Sequence, residues 1–290
     1  MTGNTVRPIT AAGAVLGLCL AGNRGASQAM TLSRQTLEVE AQQRGFLLAE
    51  PTGPPTAVIL SLHGTRSNAR QQARLSRFDA LASAAGVAVV FPQAGQPIGR
   101  GFEWNPAVDM SYLSTLVDHL NGRFPSAGGT VAMTGMSGGA RMSCHFAAFH
   151  ADVVSVVGAV AGLRGPGPNP LSRPVPILAF HGTFDRINPY DGNGTSRWNE
   201  SVPLAAGQWA VANGGDGRAA TVEISRHVTQ TSYGSPGAAN ETVLWTVKGG
   251  GHTWPGSPLG LLMWLLLGKT TTEIDASKLI LASPHLSRAR

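Results

Sequence analysis

The sequence predicts an α/β fold, a mostly parallel central sheet flanked by helices on both faces. Three observations carry that reading. Runs such as Ala57–Leu62 and Val87–Phe91 are apolar almost without interruption, as expected of strands covered on both sides. These runs alternate with segments whose apolar residues recur near helical spacing. Finally, the residues best suited to chemistry, His63, Ser137, Asp185 and His252, each follow the end of such a run. In a parallel sheet, that places all four at the carboxyl edge, where ligands bind.

In chain order, residues 36–40 and 44–48 read as a short hairpin. The Ala57–Leu62 run ends in His63-Gly64-Thr65. Asn68 is placed to cap a helix running to about Ala84, with Ala73, Phe78, Leu81 and Ala85 near one face, and Gly86 stops it. Val87–Phe91 is a strand closed by Pro92, followed by a glycine-rich loop that carries Trp104. A second helix is expected over 109–124. Thr130–Met133 is a strand and 140–150 a helix. Strands follow at 153–161 and 177–180, a helix at 202–213, strands at 221–229 and 241–247, and a last helix at about 275–282. No repeat, low-complexity tract or linker divides this pattern.

The 290 residues are 42% apolar and only 13% charged, with 37 glycines and 19 prolines. A large core is available, and loops are numerous. The net charge of +6 comes from scattered basic residues, not from a stripe, so nucleic acid is not an expected partner. Arg7 precedes an apolar segment, Ile9 to Ala21, and Ser27-Gln28-Ala29 offers small residues at −3 and −1. Residues 1–29 therefore read as a signal peptide and 30–290 as one catalytic domain, secreted to the periplasm or outside the cell. The apolar segment is too short for a convincing membrane span. Cys19 follows the bulky Leu18, which argues against lipidation. Cleavage after Ala29 leaves Cys144 as the single cysteine, so no internal disulfide forms, and its place on a helix suits packing.

The chain is organised around Gly135-Met136-Ser137-Gly138-Gly139. A strand, Gly-x-Ser-x-Gly and a helix make a nucleophile elbow, in which the glycines admit a tight turn and the serine is held strained. A serine hydroxyl needs a base, and the base needs an acid to fix its tautomer. The order Ser137, Asp185, His252 supplies them, with His252 as proton shuttle and Asp185 as its orienter. Asp191 is the competing acid. The oxyanion needs two backbone donors, expected from Gly138 and from Thr65. His63 and His181 are expected to shape loops, while His119, His145, His150 and His227 suit surface or core roles. No Cys/His cluster has metal-ligand spacing, and neither a metal nor a cofactor is expected. Trp254 and Trp104 are candidates to line the substrate cleft.

Several segments resemble the secreted polyhydroxybutyrate depolymerase and feruloyl esterase family of α/β-hydrolases. They include Leu62-His63-Gly64, Phe78–Ala82, Phe91-Pro92-Gln93, the elbow, 181–185 with 189–192, 249–256 and Ile274–Ser277. The likeness covers about residues 31 to 280. It implies the α/β-hydrolase fold and serine esterase chemistry, without a cofactor, on short hydroxyacid polyesters or on esters decorating plant polysaccharides. By position its triad falls on Ser137, Asp185 and His252. Gly138 stands where that family often has asparagine; the N–H survives, so little change is expected. The C-terminal helix lacks the usual aromatics. In place of a short polar connection the chain has the apolar stretch Leu259–Leu267, expected near the mouth of the site as a lid, a core segment or a patch for an insoluble polymer surface. No stable protein partner is expected. The alternatives are a peptidase on the same triad and a catalytically silent surface-binding protein.

Overall fold

The computed structural model describes residues 30–258 and 265–286. The expected leader, 1–29, lies outside the described residues, as does 259–264 of the apolar stretch. The strands are β1 (Ser33–Val39), β2 (Gln42–Ala49), β3 (Ala57–Leu62), β4 (Val87–Pro92), β5 (Gln96–Ile98), β6 (Gly101–Glu103), β7 (Val131–Met136), β8 (Val154–Val160), β9 (Ile177–Gly182), β10 (Ala219–Ser225), β11 (Val228–Tyr233) and β12 (Thr242–Val247). The helices are α1 (Ala69–Ser76), α2 (Phe78–Leu81), α3 (Pro106–Arg123), α4 (Gly138–Phe149), α5 (Val202–Ala212) and α6 (Ala276–Leu281).

Among the described residues, ten strands form one sheet in the order β1-β2-β4-β3-β7-β8-β9-β12-β11-β10. From β4 to β12 the neighbours are all parallel. Antiparallel strands close both edges. Every residue of β3, β4, β7, β8, β9 and β12 is buried, which is why these six are nearly unbroken apolar runs. Alternate side chains go to opposite faces. Leu60, Val90 and Met133 pack with Leu116 of α3, Phe146 of α4 and Trp209 of α5. Ile59, Val89 and Ala132 pack with Ala73 of α1, Phe78 of α2 and Ile280 of α6.

The departures from expectation have local causes. Asn68 does cap α1, its side chain accepting the Gln71 N–H at 3.0 Å. The helix does not continue to Ala84, however, because Arg77 turns left-handed at φ 56°. Its guanidinium donates to Gly256 O at 2.8 Å and Asp275 Oδ2 at 2.6 Å, which tie that turn to the C-terminal region. The α3 helix starts at Pro106 behind the cap Asn105, earlier than expected. Asp109 is not a helix start but a fully buried partner of Arg44. The strand expected over 221–229 is two strands, β10 and β11, turning at Arg226-His227. The loop carrying Trp104 contains the small β5–β6 hairpin.

Candidate active site

Ser137 sits between β7 and α4 with φ 56° and ψ −115°, a conformation unfavourable for any residue with a side chain. The neighbouring chain enforces it. A Cβ on Gly135 would come within 2.5 Å of Gly139 C and 2.8 Å of Leu62 O. One on Gly139 would overlap Leu62 O and stand 2.6 Å from His63 O. No side chain fits at either place, so the glycines let β3, β7 and α4 meet. The Ser137 N–H donates to Val160 O at 2.8 Å, fixing the elbow against β8.

Asp185 follows β9, and its side chain is fully enclosed. Oδ1 accepts the N–H groups of Ile187 at 2.9 Å and Asn188 at 2.8 Å. Oδ2 accepts His252 Nδ1–H at 2.7 Å. The same oxygen lies 3.2 Å from His181 Nε2, which also donates to Asn188 O at 2.9 Å. Burial alone would raise the Asp185 pKa; hydrogen bonds from His181 and His252 outweigh it and hold the carboxyl well below its ordinary value. Asp191 is exposed. His252, in the loop after β12, is held by its own backbone. Its N–H donates to Leu267 O at 2.6 Å, and Gly251 N–H donates to Lys269 O at 2.9 Å. The end of the apolar stretch therefore touches the histidine loop directly. Leu265 and Leu266 in that end are exposed.

Ser137 and His252 stand at the same sheet edge, the serine leaving β7 and the histidine following β12, with β8 and β9 between. The ring's hydrogen bond runs to Asp185. Among the described residues, Ser137 Oγ makes none to the ring. Such contacts are often long before substrate binds.

His63 has a structural task, as expected. Its Nδ1–H donates to Gly64 O at 2.8 Å, and Nε2 accepts Ala94 N–H at 3.2 Å. Burial lowers its pKa to about 4, so the ring stays neutral and its loop stays fixed. Thr65 stands beside Gly138. A Cβ on Gly138 would lie 3.1 Å from Thr65 N and 2.5 Å from Thr65 Oγ1. Neither the Gly138 nor the Thr65 N–H has an acceptor among the described residues. The Gly138 N–H is present in place, and an added Cβ there would press on the Thr65 side chain.

A cavity of about 640 Å³ opens beside these two residues, lined among others by Trp104, Met142, His145 and Phe149. Trp104 is part of this cavity's wall, its Nε1–H donating to His63 O at 2.8 Å. Trp254 is not. It is 1% exposed, packs edge-on to Phe78 and donates Nε1–H to Ser277 Oγ at 3.0 Å. The expected substrate contact is a core anchor, because the chain turns inward after His252. Cys144 is buried, and burial pushes its thiol up to about 11.

Sequence reasoning missed His181 as a partner of Asp185. The four-residue spacing from His181 to Asp185 was visible, but the sharp turn that folds one onto the other was not. It also missed the arginines of the cavity, which come from three separate segments.

No family model matches the chain. It is 28% identical over 267 residues to "Putative esterase NocK" of Nocardia uniformis subsp. tsuyamanensis, covering 80% of this chain and 76% of that one. It is 26% identical over 137 residues to the bifunctional acetylxylan esterase/xylanase XynS20E of Neocallimastix patriciarum, covering 47% of this chain and 20% of that protein. Among solved structures, an acetyl xylan esterase from Aspergillus awamori superposes with a TM-score of 0.57 at 15% identity, over 76% of this chain and 94% of that one. The fold is the α/β-hydrolase fold.

Proposed function

We propose that this protein is a serine ester hydrolase whose triad is Ser137, His252 and Asp185. One observation carries the reading: an enclosed carboxylate holds His252 by its Nδ1–H at 2.7 Å, at the sheet edge where Ser137 sits in a strained elbow. Deprotonated Nε2 is then free to act as base. Ser137 Oγ attacks the ester carbonyl as His252 takes its proton. The Gly138 and Thr65 N–H groups receive the oxyanion. His252 returns the proton to the leaving alcohol, and water hydrolyses the acyl-enzyme by the same steps reversed. His63 and Trp104 hold the Thr65 loop in place.

The similarity to esterases supports ester substrates over peptides. Acetyl, feruloyl and hydroxyacid esters, polyhydroxyalkanoates included, all belong to the proposal. So do export after removal of 1–29, a single catalytic domain over 30–290, and the exposed Leu265-Leu266 end as a contact for an insoluble polyester surface. A fluorophosphonate probe tests the core of it. Labelling of the wild type that disappears in Ser137→Ala is the expected result; a folded wild-type protein that resists the probe would leave the proposal without a nucleophile.

A further inference from the structure

Three arginines crowd one end of the cavity beside the elbow. Arg141 comes from the first turn of α4, Arg164 from the segment after β8 and Arg197 from the segment after β9; all three line the cavity. They converge on the ring of the nearly buried Trp198, at 5.5, 4.3 and 5.2 Å from its centroid. Like charges gathered this way repel, and carboxylates normally neutralise them. Among the described residues only Arg164 has one within 4.0 Å, Glu200. It also donates Nη2–H to Arg197 O at 2.7 Å.

Arg141 and Arg197 have none that close, and Arg141 is the less exposed of the two. The Nη1 of Arg141 is buried and has no acceptor among the described residues. Buried donors without partners are rare and costly. Burial, then Arg197 and Arg164, pulls its pKa down to about 10, against the opposing pull of Glu103. Its Nη2 lies 3.5 Å from the point where a Cβ on Gly138 would stand. Nη2 therefore faces the same small volume as the Gly138 and Thr65 N–H groups. A glycine at 138 leaves that volume open.

We propose that Arg141, flanked by Arg164 and Arg197, binds a carboxylate that the substrate carries within a few bonds of its scissile ester. This rests on the ester-hydrolase reading of Ser137 and deepens it: the preferred substrates are acid-bearing esters, not neutral short-chain ones. A planar guanidinium is suited to holding a carboxylate by charge-assisted hydrogen bonds, and Nη2 is the donor that faces the site. The two flanking cations draw such substrates in and make binding salt-sensitive.

The test compares matched esters, each rate divided by its hydroxide-catalysed rate. The half-ester 4-nitrophenyl glutarate against 4-nitrophenyl butyrate places the charge on the acyl side. The pair 4-acetoxybenzoate and phenyl acetate places it on the alcohol side. In the wild type at low salt, kcat/KM favours the acid ester at least about 10-fold in one pair, and the preference shrinks as salt rises. The preference falls about 10- to 100-fold in Arg141→Gln, the range expected for a hydrogen-bonded charge, and partly survives in Arg141→Lys. Arg197→Gln lowers it less. Fluorophosphonate labelling of Ser137 in each variant reports an intact elbow. If Arg141→Gln does not label, Arg197→Gln and the wild-type salt dependence decide. Wild-type protein that labels and hydrolyses esters yet shows no acid preference in either pair overturns the carboxylate site while the hydrolase stands. An unchanged preference in a labelling-competent Arg141→Gln does the same. Wild-type protein that does not label at all removes the hydrolase reading itself.

Discussion

His181 Nε2 lies 3.2 Å from Asp185 Oδ2, the oxygen that also holds His252. Asp185 thus has two ring partners and two backbone donors, all favouring the carboxylate. His181 touches neither the serine nor the cavity of Trp104, so it acts through Asp185 as a positioning residue. His181→Phe removes one donor and is expected to lower kcat about 10-fold with little change in KM. The pH dependence has a definite sign. The folded-state pKa of Asp185 lies below its reference of 3.8, so its stabilisation is complete above that pH and is lost as pH falls through the folded-state value. In His181→Phe the folded-state value rises, and the onset of acid unfolding moves to higher pH. His181→Asn, which can still donate, recovers part of the effect. Steady-state kinetics and acid titrations followed by circular dichroism measure these effects. An onset of acid unfolding unmoved in His181→Phe would reduce His181 to packing.

Gly138 is the tightest point of the proposed oxyanion site. Gly138→Ala brings a methyl group 2.5 Å from Thr65 Oγ1 and 3.1 Å from Thr65 N. One side must give, and the two N–H groups cease to converge. The expected loss in kcat is about 10²–10³, the range for removing one oxyanion donor. Helix α4 begins at this residue and tolerates alanine, so the melting temperature changes little. Burst kinetics with an activated ester separate slow acylation from misfolding.

The Arg44–Asp109 pair anchors the loop that carries Trp104. Asp109 is fully buried and accepts from Arg44, from Gly95 N at 3.0 Å and from Asn105 N at 2.8 Å, while Arg44 also lies 4.1 Å above the Tyr112 ring. Asp109→Ala leaves a buried cation and two N–H groups without their acceptor. A loss of about 3–5 kcal/mol follows for a broken buried pair. Urea unfolding measures it, and a double-mutant cycle with Arg44→Met tests the coupling. The substitution in both partners should cost less than Asp109→Ala alone.

What the sequence made legible divides along physical lines. The buried parallel strands were visible because both faces demand apolar side chains, and the elbow because its glycines answer to steric limits inside five residues. The Asp185–His252 partnership followed from the order of serine, acid and histidine along the chain, with each after a strand end. Strand β11, Val228–Tyr233, was not separated from β10 because its middle four residues, Thr-Gln-Thr-Ser, are polar and only half-buried. The break at Arg77 was hidden because its cause, the contacts with Gly256 and Asp275, lies 179 and 198 residues away. Asp109 was read as a helix start because Arg44 is 65 residues distant. The arginine cluster escaped for the same reason: three single cations on separate segments have no spacing to read.

Trp254 distinguishes an anchor from a substrate contact. Its indole is enclosed against Phe78, and its Nε1–H enters a relay in which Ser277 Oγ donates to Ser76 O at 2.6 Å. This ties the loop that carries His252 to α1 and α6. Trp254→Ala opens a cavity and leaves the loop unsupported, with an expected loss of about 3–5 kcal/mol. Trp254→Phe keeps most of the volume but forfeits the hydrogen bond, at about 1–2 kcal/mol. Because the residue holds the loop and not the substrate, kcat should fall by a common factor for every ester tested, with KM values and their ranking preserved. A substitution that left stability intact while reordering KM among esters would return Trp254 to the cleft.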